Sequence, residues 1–144
     1  MKLITALRLA ATGLSAERVR LNVASMNIAN AHVTRTLDGG PYRAKNVVMA
    51  ASPFEPAFER DLRSALSEWQ APEVIAITDD QSPFHEVYDP THPDADERGI
   101  VRYPNVDVLT EMVDLMAASR AYEANLSVVT ITKSMALKTI DILR

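Results

Sequence analysis

The sequence predicts a mainly α protein. Long N- and C-terminal helices pair as an elongated, coiled-coil-like bundle, and a small β-containing insert lies between them. Three observations carry this expectation. Proline and glycine are nearly absent from both ends of the chain, apolar residues recur every seven positions at both ends, and the turn formers and most acids crowd into the middle. At 144 residues the chain has the length of one ordinary domain. It divides into 1–36, 37–105 and 106–144, with the first and last segments forming one helical unit.

The first helix is expected over 3–32. Leu7, Leu14, Leu21 and Ile28 recur at intervals of seven, and Leu3, Ala10, Ala24 and Ala31 fill a neighbouring seam. Gly13 is the only glycine here, at a helical penalty of about 1 kcal/mol relative to alanine. Around it cluster Ala10, Ala11, Thr12, Ser15 and Ala16, so one side of the helix can approach another backbone closely. Near its end Asn22, Asn27 and Asn30 have modest helix propensity. They read either as a fraying terminus with Asn30 as terminator or as amides pairing across a specific helix contact, since a seam asparagine fixes register while lowering stability.

The insert opens on a turn, Asp38-Gly39-Gly40-Pro41. Short strands are expected at 43–49, at 74–77 and at Ile100–Tyr103, with an extended Pro83/Pro90/Pro93 segment before the last. Residues 55–69 have the spacing of a short amphipathic helix through Phe58, Leu62, Leu66 and Trp69, with Phe54 just before it.

The last helix is expected from Asp107 to Arg144. Val108, Leu115, Tyr122, Val129, Ala136 and Leu143 keep a seven-residue interval, and Met112, Ser119, Leu126, Lys133 and Ile140 form a companion seam four residues on. Asn105 or Asp107 can cap its start, and Glu111 sits near the positive end of its dipole. Periodicity sustained this long favours a coiled coil over a lone core helix. At 1.5 Å per residue each terminal helix reaches ~45–55 Å, and their seams are thin, so packed neighbours are the natural source of further burial.

Composition narrows the function classes. Net charge is −4 and the isoelectric point about 5.3, which argues against a nucleic-acid partner. With no cysteine there is no disulfide, thiolate metal site or cysteine nucleophile. No apolar run approaches the ~20 residues of a membrane span. Arg8 interrupts the apolar start, which reads against a cleaved export signal. The charge is uneven: residues 1–36 hold five basic and one acidic side chain, and 37–105 hold six basic and thirteen acidic.

The most site-like cluster is the run from His85 to Glu97, with His85, Glu86, Asp89, His92, Asp94 and Asp96. Its ligand types suit a divalent cation, but Arg98 stands where a calcium loop needs a ligand and Asn105 where it needs a closing glutamate. An extended solvated turn with Asp89 and Asp94 bonding nearby amides fits equally. No nucleophile elbow and no glycine-rich phosphate loop is present. No metal, cofactor or catalytic residue is therefore assigned. Helix packing and assembly are assigned to Leu7, Leu14, Leu21, Asn22, Asn27, Ile28 and Asn30 on the first helix. On the last they fall to Val108, Met112, Leu115, Tyr122, Leu126, Val129 and Ile140.

The run Leu21-Asn22-Val23-Ala24-Ser25-Met26-Asn27-Ile28-Ala29-Asn30-Ala31 resembles the N-terminal signature of the axial (rod and hook) proteins of the bacterial flagellum. Asn105 to Met116, with Ser119-Arg120-Ala121-Tyr122-Glu123-Ala124-Asn125, is similar to their C-terminal signature. Gly40-Pro41-Tyr42-Arg43-Ala44-Lys45 and Ser82 to Asp96 resemble the proximal-rod members and separate the chain from FlgB. Ala31-His32-Val33 departs from the usual continuation, and 53–73 match no family pattern. The resemblance implies a structural subunit, exported by the flagellar type III apparatus without a cleaved peptide. It would self-associate in the periplasmic rod, contact FlgB, FlgF, FlgG and FliE, and transmit torque from the membrane ring to the hook. A soluble helical adaptor or export chaperone is the alternative, and a small hydrolase using His85, Asp89 or His92 is a third reading.

Overall fold

The computed structural model describes residues 2–37, 39–53 and 70–142. The helix expected over 55–69 lies outside the described residues. Six elements follow in order: α1 (Lys2–Ala29), β1 (Lys45–Pro53), β2 (Gln70–Asp79), β3 (His85–Tyr88), β4 (Ile100–Tyr103) and α2 (Val108–Ile142). Two long helices thus flank an insert of two small antiparallel sheets.

Helix α1 stops three residues short of the expected 32, for a local reason. The Asn30 side chain turns back and donates from Nδ2 to the Met26 carbonyl at 2.8 Å, while its backbone N–H reaches the Met26 and Asn27 carbonyls. That satisfies the exposed end of the helix and releases the chain into a turn. Helix α2 starts on Asp107, whose carboxylate accepts from the Leu109 N–H at 3.0 Å and the Thr110 hydroxyl at 2.8 Å. These bonds hold the Asp107 carboxyl below its ordinary range.

Asn105, the other expected cap, instead clasps the insert. Its Oδ1 accepts from the Ala44 N–H at 2.9 Å, and its Nδ2 donates to the Asp80 and Ser82 carbonyls. Arg43 reaches the same two carbonyls and lays its guanidinium 4.4 Å from the centre of the Phe84 ring.

Strands β1 and β2 pair from Lys45–Asp79 to Pro53–Gln70, so both are longer than expected. Val48 pairs with Ala76 and Met49 with Val74, which leaves Ile75 as a bulge. This hairpin rests on α1. Ala71 is buried on β2, and Ala44, buried just before β1, packs with Ala31 and Val106. The second sheet pairs β3 with β4, from His85–Tyr103 to Tyr88–Ile100. Strand β4 falls where expected, whereas β3 forms in the stretch read only as extended. Val101 and Pro104 are its fully buried anchors.

Three glycines take the left-handed conformation, and Gly99 (φ 75°) is the tightest of them. A Cβ there would lie 2.9 Å from Tyr88 Cε2 and 3.1 Å from Pro90 Cβ. The loop between β3 and β4 therefore closes on the face of Gly99.

The helices run side by side in opposite directions. Asn27 meets Glu111 near one end and Gly13 meets Asn125 farther along, two heptads away on each helix. Among the described residues the buried apolar side chains are mostly alanine, with Ala10, Ala16, Ala24 and Ala118 on the helices, and Val23, Val101 and Val106 are the larger members. Small residues let the backbones come close but bury little apolar area each.

Candidate functional site

Asn27 is the polar centre of the molecule. It is 1 % exposed, and its carboxamide uses its full hydrogen-bonding capacity. Nδ2 donates to the Lys45 carbonyl at 2.9 Å and to Glu111 Oε1 at 2.7 Å. Oδ1 accepts from the Tyr42 hydroxyl and the Lys45 N–H, both at 3.0 Å. One side chain thereby joins α1, the entry to β1 and the first turn of α2.

Burial raises the Tyr42 hydroxyl above its ordinary pKa, with Lys45 pulling the other way. Burial likewise raises the Glu111 carboxyl, against the hydrogen bond from Asn27. Lys45 is held protonated more firmly than usual by its 2.7 Å contact with Asp79, its cross-strand partner. Beside this junction an open cleft is lined by Arg20, Lys45, Glu111 and Asp114.

The three asparagines divide between the two readings. Asn27 pairs across the helices, Asn30 terminates α1, and Asn22 is exposed on the outer side.

The seam itself differs from the expected one. On α2 the less exposed positions are Val108, Leu115, Tyr122, Val129 and Ala136, together with Glu111, Ala118, Asn125 and Thr132, which stand three residues on. The companion stripe expected four residues on faces outward in this chain: Met112, Leu126 and Ile140 are exposed. The reason is steric. A helix pair this close accepts Ala118, Thr132 and an Asn125 seated on Gly13, where a Cβ would fall 3.0 Å from Asn125 Nδ2. It does not accept a row of methionine, leucine and isoleucine.

Helix α1 is shifted in the same sense. Its buried positions are Ala10, Gly13, Ala16, Val23, Ala24 and Asn27, with Ala31 buried just past its end, and Leu7, Leu14, Leu21 and Ile28 are half-buried. Glu111, Gly13, Asn125, Tyr42 and Lys45 were not assigned from sequence.

The outer surface of α2 is the molecule's other conspicuous feature. Leu109, Met112, Val113, Met116, Leu126, Val128, Ile131, Met135, Leu137 and Ile140 are all exposed, so the helix is apolar around most of its circumference. Such a helix is ordinarily enclosed on all sides. Among the described residues no helix is long and apolar enough to cross a membrane.

The His85–Glu97 run is occupied with its own backbone. Asp89 accepts from the Thr91 hydroxyl and N–H, and Asp96 accepts from the Ile100 and Arg98 N–H groups. Those bonds lower both carboxyls below the ordinary range. His92 Nδ1 accepts from the Asp94 N–H, and Asp94 takes the Thr34 hydroxyl at 2.7 Å. Among the described residues no three histidines or carboxylates converge on a metal-sized space.

Two family models match the chain. One, described as flagella basal body rod protein, covers residues 7–35 and so most of α1. The other, described as flagellar basal body rod FlgEFG protein C-terminal, covers 97–142 and so β4 and α2. The chain is also similar, over nearly its whole length, to proteins named flagellar basal-body rod protein FlgC. Identity is 41 % with that of Borreliella burgdorferi, over 100 % of this chain and 99 % of the relative. It is 40 % with that of Bacillus subtilis, over 94 % and 95 %, and 41 % with that of Salmonella typhimurium, over 99 % and 98 %.

Proposed function

The chain belongs to the FlgC family of flagellar basal-body rod proteins, and from that premise we propose that it is a structural subunit of the proximal rod. It carries load between the membrane ring and the hook and performs no catalysis. The observation that supports this most directly is the mismatch between its two surfaces. The buried apolar side chains among the described residues are alanine and a few valines, while many large apolar side chains of α2 are exposed. At about 25 cal/mol per Å² the small interior contributes little, and the larger apolar area contributes only once neighbours cover it.

The antiparallel helices, with buried positions alternating three and four apart, form a coiled-coil-like unit. Like units of related axial subunits pack alongside it, namely further copies and the rod proteins FlgB, FlgF and FlgG, with FliE at the base. The chain reaches the periplasmic rod through the flagellar type III apparatus without a cleaved peptide, and the absence of cysteine suits passage in an unfolded state. The insert, clasped to both helices through Asn27 and Asn105, sets the spacing on the outside of the shaft.

Limited proteolysis tests this reading. In the isolated full-length chain, α2 is cut readily, and in purified basal bodies the same sites are protected. Equal protection in both, or absence of the chain from basal bodies, overturns it.

A further inference from the structure

Asn27 completes the first position of a sheet edge and leaves the next ones open. Its carboxamide accepts from the Lys45 N–H and donates to the Lys45 carbonyl, the two bonds that a neighbouring strand would make to that residue. Both backbone groups of Lys45 therefore point away from β2. Along an antiparallel strand every second residue faces this way, so Val47, Met49 and Ala51 present their N–H and carbonyl groups on the same edge of β1. The extra residue of the bulge lies on β2 and does not disturb this alternation. Pro72 agrees in phase. It pairs with Ala51, and a proline, having no N–H, sits where the ladder does not call for one. Among the described residues no side chain or loop bonds these outward groups of Val47, Met49 and Ala51.

The outer edges of the hairpin are unlike. That of β2 is interrupted by Pro72 and by the Ile75 bulge, devices by which natural sheets refuse a further strand. That of β1 carries neither proline nor charge from Asn46 to Ser52. Asn27 closes it at one end and Pro53 at the other, and between them it is open to strand addition.

At its Lys45 end this edge runs into the cleft beside the Asn27 junction, a space of about 260 Å³ between Val23 and Ala24 of α1, Val47 of β1, and Glu111 and Asp114 of α2. Small-molecule pockets are roughly 300–1,000 Å³, so the cleft is sized for one long side chain. Its bases are already matched, Arg20 with Glu17 at 3.0 Å and Lys45 with Asp79 at 2.7 Å. Its carboxylates are not, since among the described residues no base pairs with Glu111 or Asp114. The charge this cleft lacks is positive.

We propose that the outer edge of β1 takes an extended, largely uncharged segment of another protein as a third strand, with a lysine or arginine of that segment entering the cleft between Glu111 and Asp114. A second copy of this chain fits less well. Paired two-fold through its own β1 about Met49, it would bring its Lys45 opposite Pro53, at the far end from the cleft. The isolated chain holds both parts of the site, so the contact is tested independently of incorporation into a rod.

The probe is a short end-blocked peptide of alternating valine and threonine with one lysine at either end, added to the full-length chain and followed by backbone amide NMR. Shifts are expected at Val47, Met49 and Ala51, with binding about tenfold tighter than for the same peptide carrying glutamate. Asp114→Asn, at an exposed position, is expected to remove most of that preference. Met49→Pro and Ala51→Pro each delete an outward N–H and no bond to β2, so both are expected to keep the β1–β2 pairing and lose the peptide. Should Met49→Pro disturb the bulge, Ala51→Pro, opposite an existing proline, decides the point. The proposal is overturned if neither peptide binds, if the lysine and glutamate peptides bind alike, or if the edge variant with intact pairing binds as the parent does. A dimer of the chain that the same variant dissolves overturns it too, by giving the edge to a second copy.

Discussion

Asn27 and Glu111, 84 positions apart in the chain, are joined by a 2.7 Å hydrogen bond from Nδ2 to Oε1. This bond holds the first turn of α2 against the last turns of α1. The same carboxamide fixes the start of β1, so removing it strands several groups at once. Asn27→Ala leaves the Lys45 N–H and carbonyl and the Tyr42 hydroxyl short of a partner, and the expected loss is about 2–3 kcal/mol of unfolding free energy. Chemical denaturation checks the value. Asn27→Asp is expected to be at least as damaging, because it puts a second carboxylate beside Glu111 and replaces two donor hydrogens by none.

Glu111 gives the junction a pH dependence of its own. Burial raises its folded carboxyl above the ordinary 4.5. Between that value and the raised one the native state holds more protons than the unfolded state, so this group's contribution to stability falls as pH rises through the window. Asp80, Asp89, Asp96 and Asp107, all lowered by local hydrogen bonds, act in the opposite sense and lose stability as pH falls through their folded values. Glu111→Gln keeps an oxygen to accept from Asn27 and removes the ionisation. The variant is expected to be at least as stable as the parent at pH 7 and to lack the decline just above the glutamate range. Urea titrations at pH 4 to 7 on both proteins check this, and a Gln variant with the parent's slope excludes the assignment.

Gly99 is constrained from two directions. Its positive φ places a side chain in the disfavoured left-handed region at about 1–2 kcal/mol, and the Cβ would press on Tyr88 and Pro90. Gly99→Ala is expected to destabilise the insert by about 2–3 kcal/mol. Amide exchange is expected to localise the damage to β3 and β4, with α1 and α2 protected as before.

How much of this was readable in the sequence depended on how local each determinant is. Element type followed from periodicity and from the distribution of proline and glycine, which act over a few residues. The seam partner did not. On a helix apolar around most of its girth, Val108, Leu115 and Tyr122 stand out on any criterion, but the second stripe can be chosen four residues on, by apolarity, or three on, by size. Apolarity selects Met112 and Leu126, the outward face. Size selects Ala118 and Asn125, because a second helix approaches closely there, and that is information held 100 residues away. Strand β3 was hidden for a similar reason. His85 to Tyr88 alternate no apolar pattern and owe their extended form to β4, fifteen residues on. Asn27 was visible as an odd polar residue on a packed helix, while its partners Tyr42, Lys45 and Glu111 were not.

The seating of Asn125 on Gly13 makes the closeness of the helices measurable. Gly13→Ala gains about 1 kcal/mol in helix propensity, but its methyl would lie 3.0–3.1 Å from the Asn125 carboxamide. That side chain must then swing away from the Ala121 carbonyl it now bonds at 3.0 Å. The two effects oppose, so the single variant is expected within about 1 kcal/mol of the parent. Combined with Asn125→Ala, the obstruction is gone and the propensity gain is realised, giving a coupling of about 1 kcal/mol in a double-mutant cycle. Gly13→Leu has no such release and is expected to lose about 1–3 kcal/mol by forcing the helices apart. If the single alanine variant already shows the whole propensity gain, with no coupling to position 125, the helices are farther apart than this seam requires.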